Sequence, residues 1–245
     1  MSELFLKGDE RLPLYQRLAD VLRAEIVAGH RRPGDRIPSE NVLVSDYGLA
    51  AGTVRQALSQ LVSEGMLERI HGRGTFVRRP NFDQSLFRFF RFRSASGEFR
   101  VPESRILKRA IEPAPGHVAR QLKIVDGSNA ISISRLRLID DVPVLAEEIW
   151  LPEKRFSKFM DIPVDEIGPL LYPIYDSHCD QLVAQAEEAL TAEIANPQTA
   201  RLLRVDDQIP LIVIERLAKD YGGTPLEWRR SRGRADQFHY HTEIR

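Results

Sequence analysis

Several features that would give a chain an immediate function are missing here. There is a single cysteine, Cys179, which leaves no internal disulfide framework and no cysteine-based zinc site. No stretch approaches the roughly 20 consecutive apolar residues that span a bilayer. The N-terminus, with Glu3, Lys7, Asp9 and Glu10, lacks the pattern of a signal peptide. A P-loop and a dinucleotide fingerprint are also missing. These absences imply a soluble cytoplasmic protein that does not enter a membrane, and neither a cofactor nor a metal or catalytic site is expected.

With 245 residues and 42% hydrophobic composition the chain can bury a substantial core, and two domains are expected. The boundaries read as 1–79, a junction at 80–100, and 101–245. Formal net charge is zero, but it is unevenly spread. Between Arg69 and Arg93 there are seven arginines against one acid, Asp83, an asymmetry that favours a polyanion.

Pro38 to Val77 reads as two short amphipathic helices around a tight turn, followed by a two-stranded ribbon. Ser39 is placed to cap the first helix, with Glu40 at the positive end of its dipole and Val42, Leu43 and Tyr47 as an apolar stripe. Gly48 ends it in the left-handed conformation. The second helix carries Val54, Ala57, Leu58, Leu61 and Val62 on one face, and Gly65 stops it. Thr53, Arg55, Gln56, Ser59 and Gln60 occupy the opposite face, where they are either donors for phosphates and base edges or an ordinary solvated surface. Leu67–Ile70 and Thr75–Val77 can pair around His71-Gly72-Arg73-Gly74, whose glycines permit a sharp turn and close approach to a partner.

The wing Glu68-Arg69-x-x-Gly72-Arg73-Gly74-Thr75-Phe76-Val77, with Thr53-Val54-Arg55-Gln56-Ala57-Leu58 before it, resembles the DNA-binding domain of the GntR family of bacterial transcription regulators. The resemblance implies a double-stranded DNA operator contacted through Ser39, Thr53, Arg55, Gln56, His71, Gly72, Arg73 and Gly74. Two positions depart from the family pattern. Asn41 stands where an arginine is usual, and Ala50-Ala51 stand where a Ser-Arg or Thr-Arg pair is usual. Recognition should therefore lean more heavily on Thr53, Arg55, His71 and Arg73.

Around this stretch, Leu14, Leu18, Val21, Leu22 and Ile26 place a covering helix between Pro13 and Ala28. Arg31, Arg32 and Arg36 follow in a Pro-Gly turn, within reach of a DNA backbone. Asn81 to Arg100 interleaves phenylalanines with arginines. Stacking on single-stranded bases would use that pattern, and so would a strand with aromatic residues turned to a core, which is the expectation for a domain junction.

The second domain contains an internal repeat. Ala119-Arg120-x-Leu122-x-x-x-Asp126 matches Ala200-Arg201-x-Leu203-x-x-x-Asp207, and Ile131, Ile133 and Arg135-Leu136 fall in register with Ile212, Ile214 and Arg216-Leu217. Each unit reads as helix, strand, turn and strand, with the last strand starting at Val144 or Leu226. An α+β fold with one antiparallel sheet and packed helices follows.

Arg135-Leu136-Arg137, Pro143, Glu147 and Leu151-Pro152, with Pro225-Leu226-Glu227 and Asp236, resemble the effector-binding (UTRA) domain of the HutC subfamily of GntR regulators. This implies a chorismate-lyase-like antiparallel sheet joined to a winged helix-turn-helix, binding a small ligand without transforming it. It also implies a pocket built by Arg135, Arg137, Glu147 and Glu227. Two arginines two apart on a strand aim both guanidinium forks to one side, which suits a carboxylate or phosphate; a solvated strand face with surface ion pairs has the same pattern. Arg232-Gly233 stands where many members of the family carry aromatic residues after the second glutamate.

The resulting reading is a homodimeric repressor that binds a palindromic operator and is released by a small anionic metabolite. The alternative is an enzyme acting on a small carboxylic acid in the C-terminal domain. His178-Cys179-Asp180 has the composition of a hydrolase triad, but consecutive residues point in different directions. Glu187 and Glu188 likewise point opposite ways. His239 and His241, two apart, share a face and could hold a metal with Asp236, although a packed or solvent-facing pair fits the same spacing.

Overall fold

The computed structural model describes residues 11–79 and 102–237; the Asn81 to Arg100 stretch and the His239 and His241 pair lie outside them. The chain divides into two compact units, Met1–Pro80 and Asn81–Arg245.

In the first unit, α1 (Leu14–Val27) packs on α3 (Ala51–Ser63), and α2 (Glu40–Tyr47) packs on the same helix. Leu18, Leu22 and Ile26 from α1 meet Val54, Ala57, Leu58 and Leu61 from α3 in a core with almost no solvent exposure. Burying each leucine stabilises the unit by roughly 1.5–3 kcal/mol relative to leaving it exposed. Gly48 and Gly65 adopt φ of 63° and 74°, which is why α2 and α3 end where glycine occurs. α2 buries less than its expected stripe. Leu43 is buried, but Val42 is 44% exposed and Tyr47 half-buried, because a two-turn helix presents only a narrow line to α3. Leu14, the first residue of α1, is also exposed.

The ribbon pairs β1 (Leu67–Ile70) with β2 (Gly74–Val77), Arg69 opposite Thr75. The Pro-Gly turn adds a third edge. Ile37 N–H donates to the Thr75 carbonyl and Val77 N–H to that of Asp35, both at 2.8 Å.

The second unit is a six-stranded, fully antiparallel sheet. Its strands are β3 (Glu103–Pro113), β4 (Asn129–Ile139), β5 (Val142–Pro152), β6 (Gln185–Ile194), β7 (Pro210–Lys219) and β8 (Pro225–Arg234), in spatial order β3-β4-β5-β8-β7-β6. The two repeats are the two halves of this sheet, joined where β5 pairs with β8. Their helices, α4 (Gly116–Leu122) and α7 (Pro197–Leu203), end identically, in left-handed Lys123 (φ 53°) and Arg204 (φ 55°). Each strand pair after the helix turns tightly. In the first, Asp140 and Asp141 both take positive φ, as a two-residue hairpin of this hand requires, and β5 begins at Val142, two residues earlier than expected.

Strand periodicity divides the side chains between two faces. On one face α4 packs Val118, Ala119 and Leu122 against Trp150 and Trp228, while α7 packs Ala200 and Leu203 against Leu136, Leu138 and Ala146. The other face carries Ile131, Ile133, Ile149 and Leu151. It is covered by residues 153–183, which include α5 (Glu153–Phe156) and α6 (Tyr172–Cys179) and contribute Phe156, Phe159, Leu171 and Tyr175. No described helix is long and apolar enough to cross a membrane.

Candidate functional site

In the first unit, Ser39 Oγ accepts from Val42 N–H at 3.4 Å and caps α2, whereas Ala50 at the start of α3 offers no side-chain cap. Arg55 and Gln56 are exposed on α3, Thr53 is half-buried, and His71, Gly72, Arg73 and Gly74 form the exposed turn of the wing. Arg55 Nε lies 3.3 Å from Glu40 Oε2, an exposed pair that holds the guanidinium beside the N-terminus of α2. Arg69 Nη2 donates to Ser59 Oγ at 2.9 Å, fixing the wing to α3. Gly74, at φ 121°, serves a second purpose. A Cβ there would sit 3.1 Å from Arg36 Nε, so the missing side chain lets Arg36 lie against the wing. Arg31, by contrast, is paired with Glu25 at 2.5 Å.

The sequence-predicted residues of the second unit come together on the face covered by residues 153–183. Following Ile131 and Ile133 along that face of β4 are Arg135 and Arg137, each 2% exposed. Across the sheet, Arg135 is opposite Glu147 on β5, and Glu147 is opposite Ser231 on β8. The next row sets Arg229 on β8 beside Arg216 on β7 and Glu188 on β6. Arg135 Nε donates to Glu147 Oε2 at 2.6 Å, and Ser231 Oγ donates to Glu147 Oε1 at 3.1 Å. Arg229 reaches both family glutamates, with Nη1 at 3.7 Å from Glu147 and Nη2 at 2.8 Å from Glu227. Glu227 also accepts from the phenols of Tyr175 at 2.6 Å and Tyr172 at 3.2 Å. Arg216 pairs with Glu188, its Nε at 2.8 Å, and Arg137 Nη1 donates to the main-chain carbonyl of Pro169.

The electrostatics follow from burial. Burial would raise the Glu147 carboxyl, but Arg135, Arg229 and Arg137 outweigh it and hold the group at about 2. Burial lowers Arg137 to about 10; Glu147 opposes the fall, and Arg135 and Arg229 add to it. Burial and then Glu227 push the Tyr175 phenol well up, so it remains a neutral donor. Among the described residues, four guanidinium groups, Arg135, Arg137, Arg216 and Arg229, share the face with three carboxylates, Glu147, Glu188 and Glu227. Arg135 Nη1 and Arg229 Nε are buried and have no hydrogen-bond partner among the described residues. An anion would supply the acceptors that these two donors call for.

Arg216, Arg229, Ser231, Tyr172 and Tyr175 were not identified as site residues from the sequence. Arg216 had a usable signal, since it is the repeat counterpart of Arg135. The other tempting chemistry is not assembled. Cys179 is buried, which pushes its thiol up and away from nucleophile activation, and the His178 ring meets Ser177 Oγ at 2.8 Å. Glu188 turns inward to Arg216 while Glu187 is 71% exposed beside Lys219.

Residues 98–239 match the UTRA domain family, and residues 14–77 match the bacterial regulatory proteins of the gntR family. The chain belongs to the GntR family, in its UTRA-bearing, HutC-like branch. It is 27% identical over 231 residues to the mannosyl-D-glycerate transport/metabolism system repressor MngR of Escherichia coli, covering 93% of this chain and 94% of that one. It is 28% identical to the HTH-type transcriptional repressor NagR of Bacillus subtilis, covering 93% of each. PhnF from Mycobacterium smegmatis has the same fold, with a TM-score of 0.55 at 22% identity, covering 95% of this chain and 99% of that one. The UTRA-family match covers the whole arginine-glutamate cluster, and both of these relatives, MngR and NagR, are named as repressors.

Proposed function

We propose that this GntR-family regulator is a repressor that binds a palindromic operator as a homodimer and is released by a small anionic metabolite. The observation that carries the ligand class is buried guanidinium donor capacity on the covered face of the UTRA sheet, where Arg135 Nη1 and Arg229 Nε lack an acceptor among the described residues. Arg135 and Arg137 hold the anion, while Glu147 and Glu227 fix the guanidinium planes around it. A relative named for a mannosyl-D-glycerate system is in keeping with an effector that carries a carboxylate. Ser39, Thr53, Arg55, Gln56, His71, Gly72, Arg73 and Gly74 form the operator-facing surface.

The effector must bind the non-repressing arrangement more tightly, because equal affinity for both shifts nothing. Linkage then requires DNA to weaken effector binding by the factor with which effector weakens DNA binding. Thermal-shift screening against small anions supplies the effector, and footprinting supplies the operator. Operator is then titrated with and without effector, for the wild type and Arg135→Ala. The variant should bind operator normally and lose the response. A full response in Arg135→Ala would place the effector elsewhere, and loss of operator binding would make Arg135 a structural residue.

A further inference from the structure

The internal repeat supplies a comparison between the two halves of the sheet. In the first half the residue opposite Arg135 is Glu147; in the second half the residue opposite its counterpart Arg216 is Arg229. One position of the repeat thus holds a carboxylate on one side and a guanidinium on the other. Two cations directly opposite each other on neighbouring strands repel, and each is drawn to a different carboxylate. Arg216 takes Glu188, and Arg229 turns to Glu227 and Glu147.

This has a direct effect on what the site can accept. Glu147 already receives Arg135 and Ser231, and Glu227 receives Arg229, Tyr172 and Tyr175. Glu227, with three donors on it, has little capacity left for an amine or a row of hydroxyls, and Glu147 is flanked by Arg135, Ser231 and Arg229, which compete with a ligand for it. The unsatisfied hydrogen-bonding capacity is instead donor capacity, on Arg135 Nη1 and Arg229 Nε, both buried. The Arg229 guanidinium also lies over the Tyr172 ring at 5.7 Å, which holds its plane in place.

We infer that Arg229 is a specificity-determining residue of the effector site, occupying both glutamates so that the site selects ligands by negative charge and excludes those that need carboxylate acceptors. This inference rests on the proposed anionic effector site at Arg135 and Arg137. Its particular content is that the repeat position occupied by arginine sets the sign of the ligand.

The test uses the full-length chain, with inorganic phosphate and the amino alcohol ethanolamine as probes, measured by calorimetry and thermal shift. The wild type should bind phosphate and ignore ethanolamine. Arg229→Met, uncharged and close to the arginine's stem in length, should bind phosphate at least tenfold more weakly and acquire ethanolamine binding at the released Glu227. If Arg229→Met does not fold, Arg229→Met with Glu227→Gln removes the stranded carboxylate and takes its place; it should lose phosphate binding without gaining ethanolamine. A folded variant that binds phosphate as tightly as the wild type overturns the role of Arg229 and leaves the anionic site standing. Absence of phosphate binding in the wild type, with ethanolamine bound instead, overturns both.

Discussion

Replacing Glu147 by glutamine removes one charge from the driest part of the sheet. The side chain is fully buried, accepts from Arg135 at 2.6 Å and Ser231 at 3.1 Å, and faces Arg229 at 3.7 Å. Two independent routes give the cost. Lowering the carboxyl from an ordinary value near 4.3 to about 2 corresponds to ~3 kcal/mol of preference for the charged form in the fold. Breaking a buried ion pair by removing one partner costs about 3–5 kcal/mol in general. Their overlap sets the expectation at roughly 3 kcal/mol, against a typical domain stability of about 5–15 kcal/mol. Both tryptophans, Trp150 and Trp228, lie in this sheet, so fluorescence during urea unfolding of the full chain reports on this unit. The pH dependence has a definite sign. A carboxyl depressed in the fold stabilises it above the unfolded value of about 4.3, and that stability is lost as pH falls from there through about 2. The gap between wild type and Glu147→Gln should therefore be widest at neutral pH and narrow across that window. A difference below ~1 kcal/mol at pH 7, or one that does not change on acidification, would mean that water reaches the cluster and that the charge account is wrong.

Two further outcomes concern the reading head. Arg73→Ala should weaken operator binding and lower the salt-dependence slope by about one, because the exposed wing tip between Gly72 and Gly74 presents Arg73 to a phosphate or groove; unchanged binding across a salt series refutes the contact. Arg55→Ala should cost ~1–3 kcal/mol of operator affinity if the side chain leaves Glu40 to read a base, and an equal loss on random DNA in a competition assay would reassign it to phosphate.

What could be read from the sequence was whatever depends on local period and on duplication. The apolar spacing of α3, the glycines that close α2 and α3, and the repeated Ala-Arg-x-Leu helices are all set within one or two turns of chain, and they lie where expected. The misreading of Val42 came from treating a two-turn helix as if it had a full buried stripe. Arg229 was not legible because its role depends on how β8 registers against both β5 and β7, and one residue of slip would turn it to the opposite face. The Pro169 carbonyl on Arg137 was out of reach for a different reason. A main-chain acceptor in an irregular segment leaves no signature in side-chain pattern.

The fold is twofold, but the site is single, and that difference bears on how a ligand could act. Both halves supply a helix to one face, and among the described residues only the first is followed by a segment that covers the other. Within that cover, Phe156, Phe159 and Tyr175 are completely buried and pack ring against ring, with centroids 4.9 Å and 5.9 Å from Tyr175. Moving such side chains out would cost roughly 1.5–3 kcal/mol each. Pro169 is held more lightly. It is exposed and contributes one carbonyl to Arg137. In the proposed switch an anion arriving at Arg137 competes with that carbonyl, and the charged acceptor makes the stronger bond. Displacement would then be confined to the stretch before α6, with the aromatic core beneath it unmoved. The differential affinity that a switch requires can therefore arise at Pro169 without disrupting the packing that holds the sheet and its cover together.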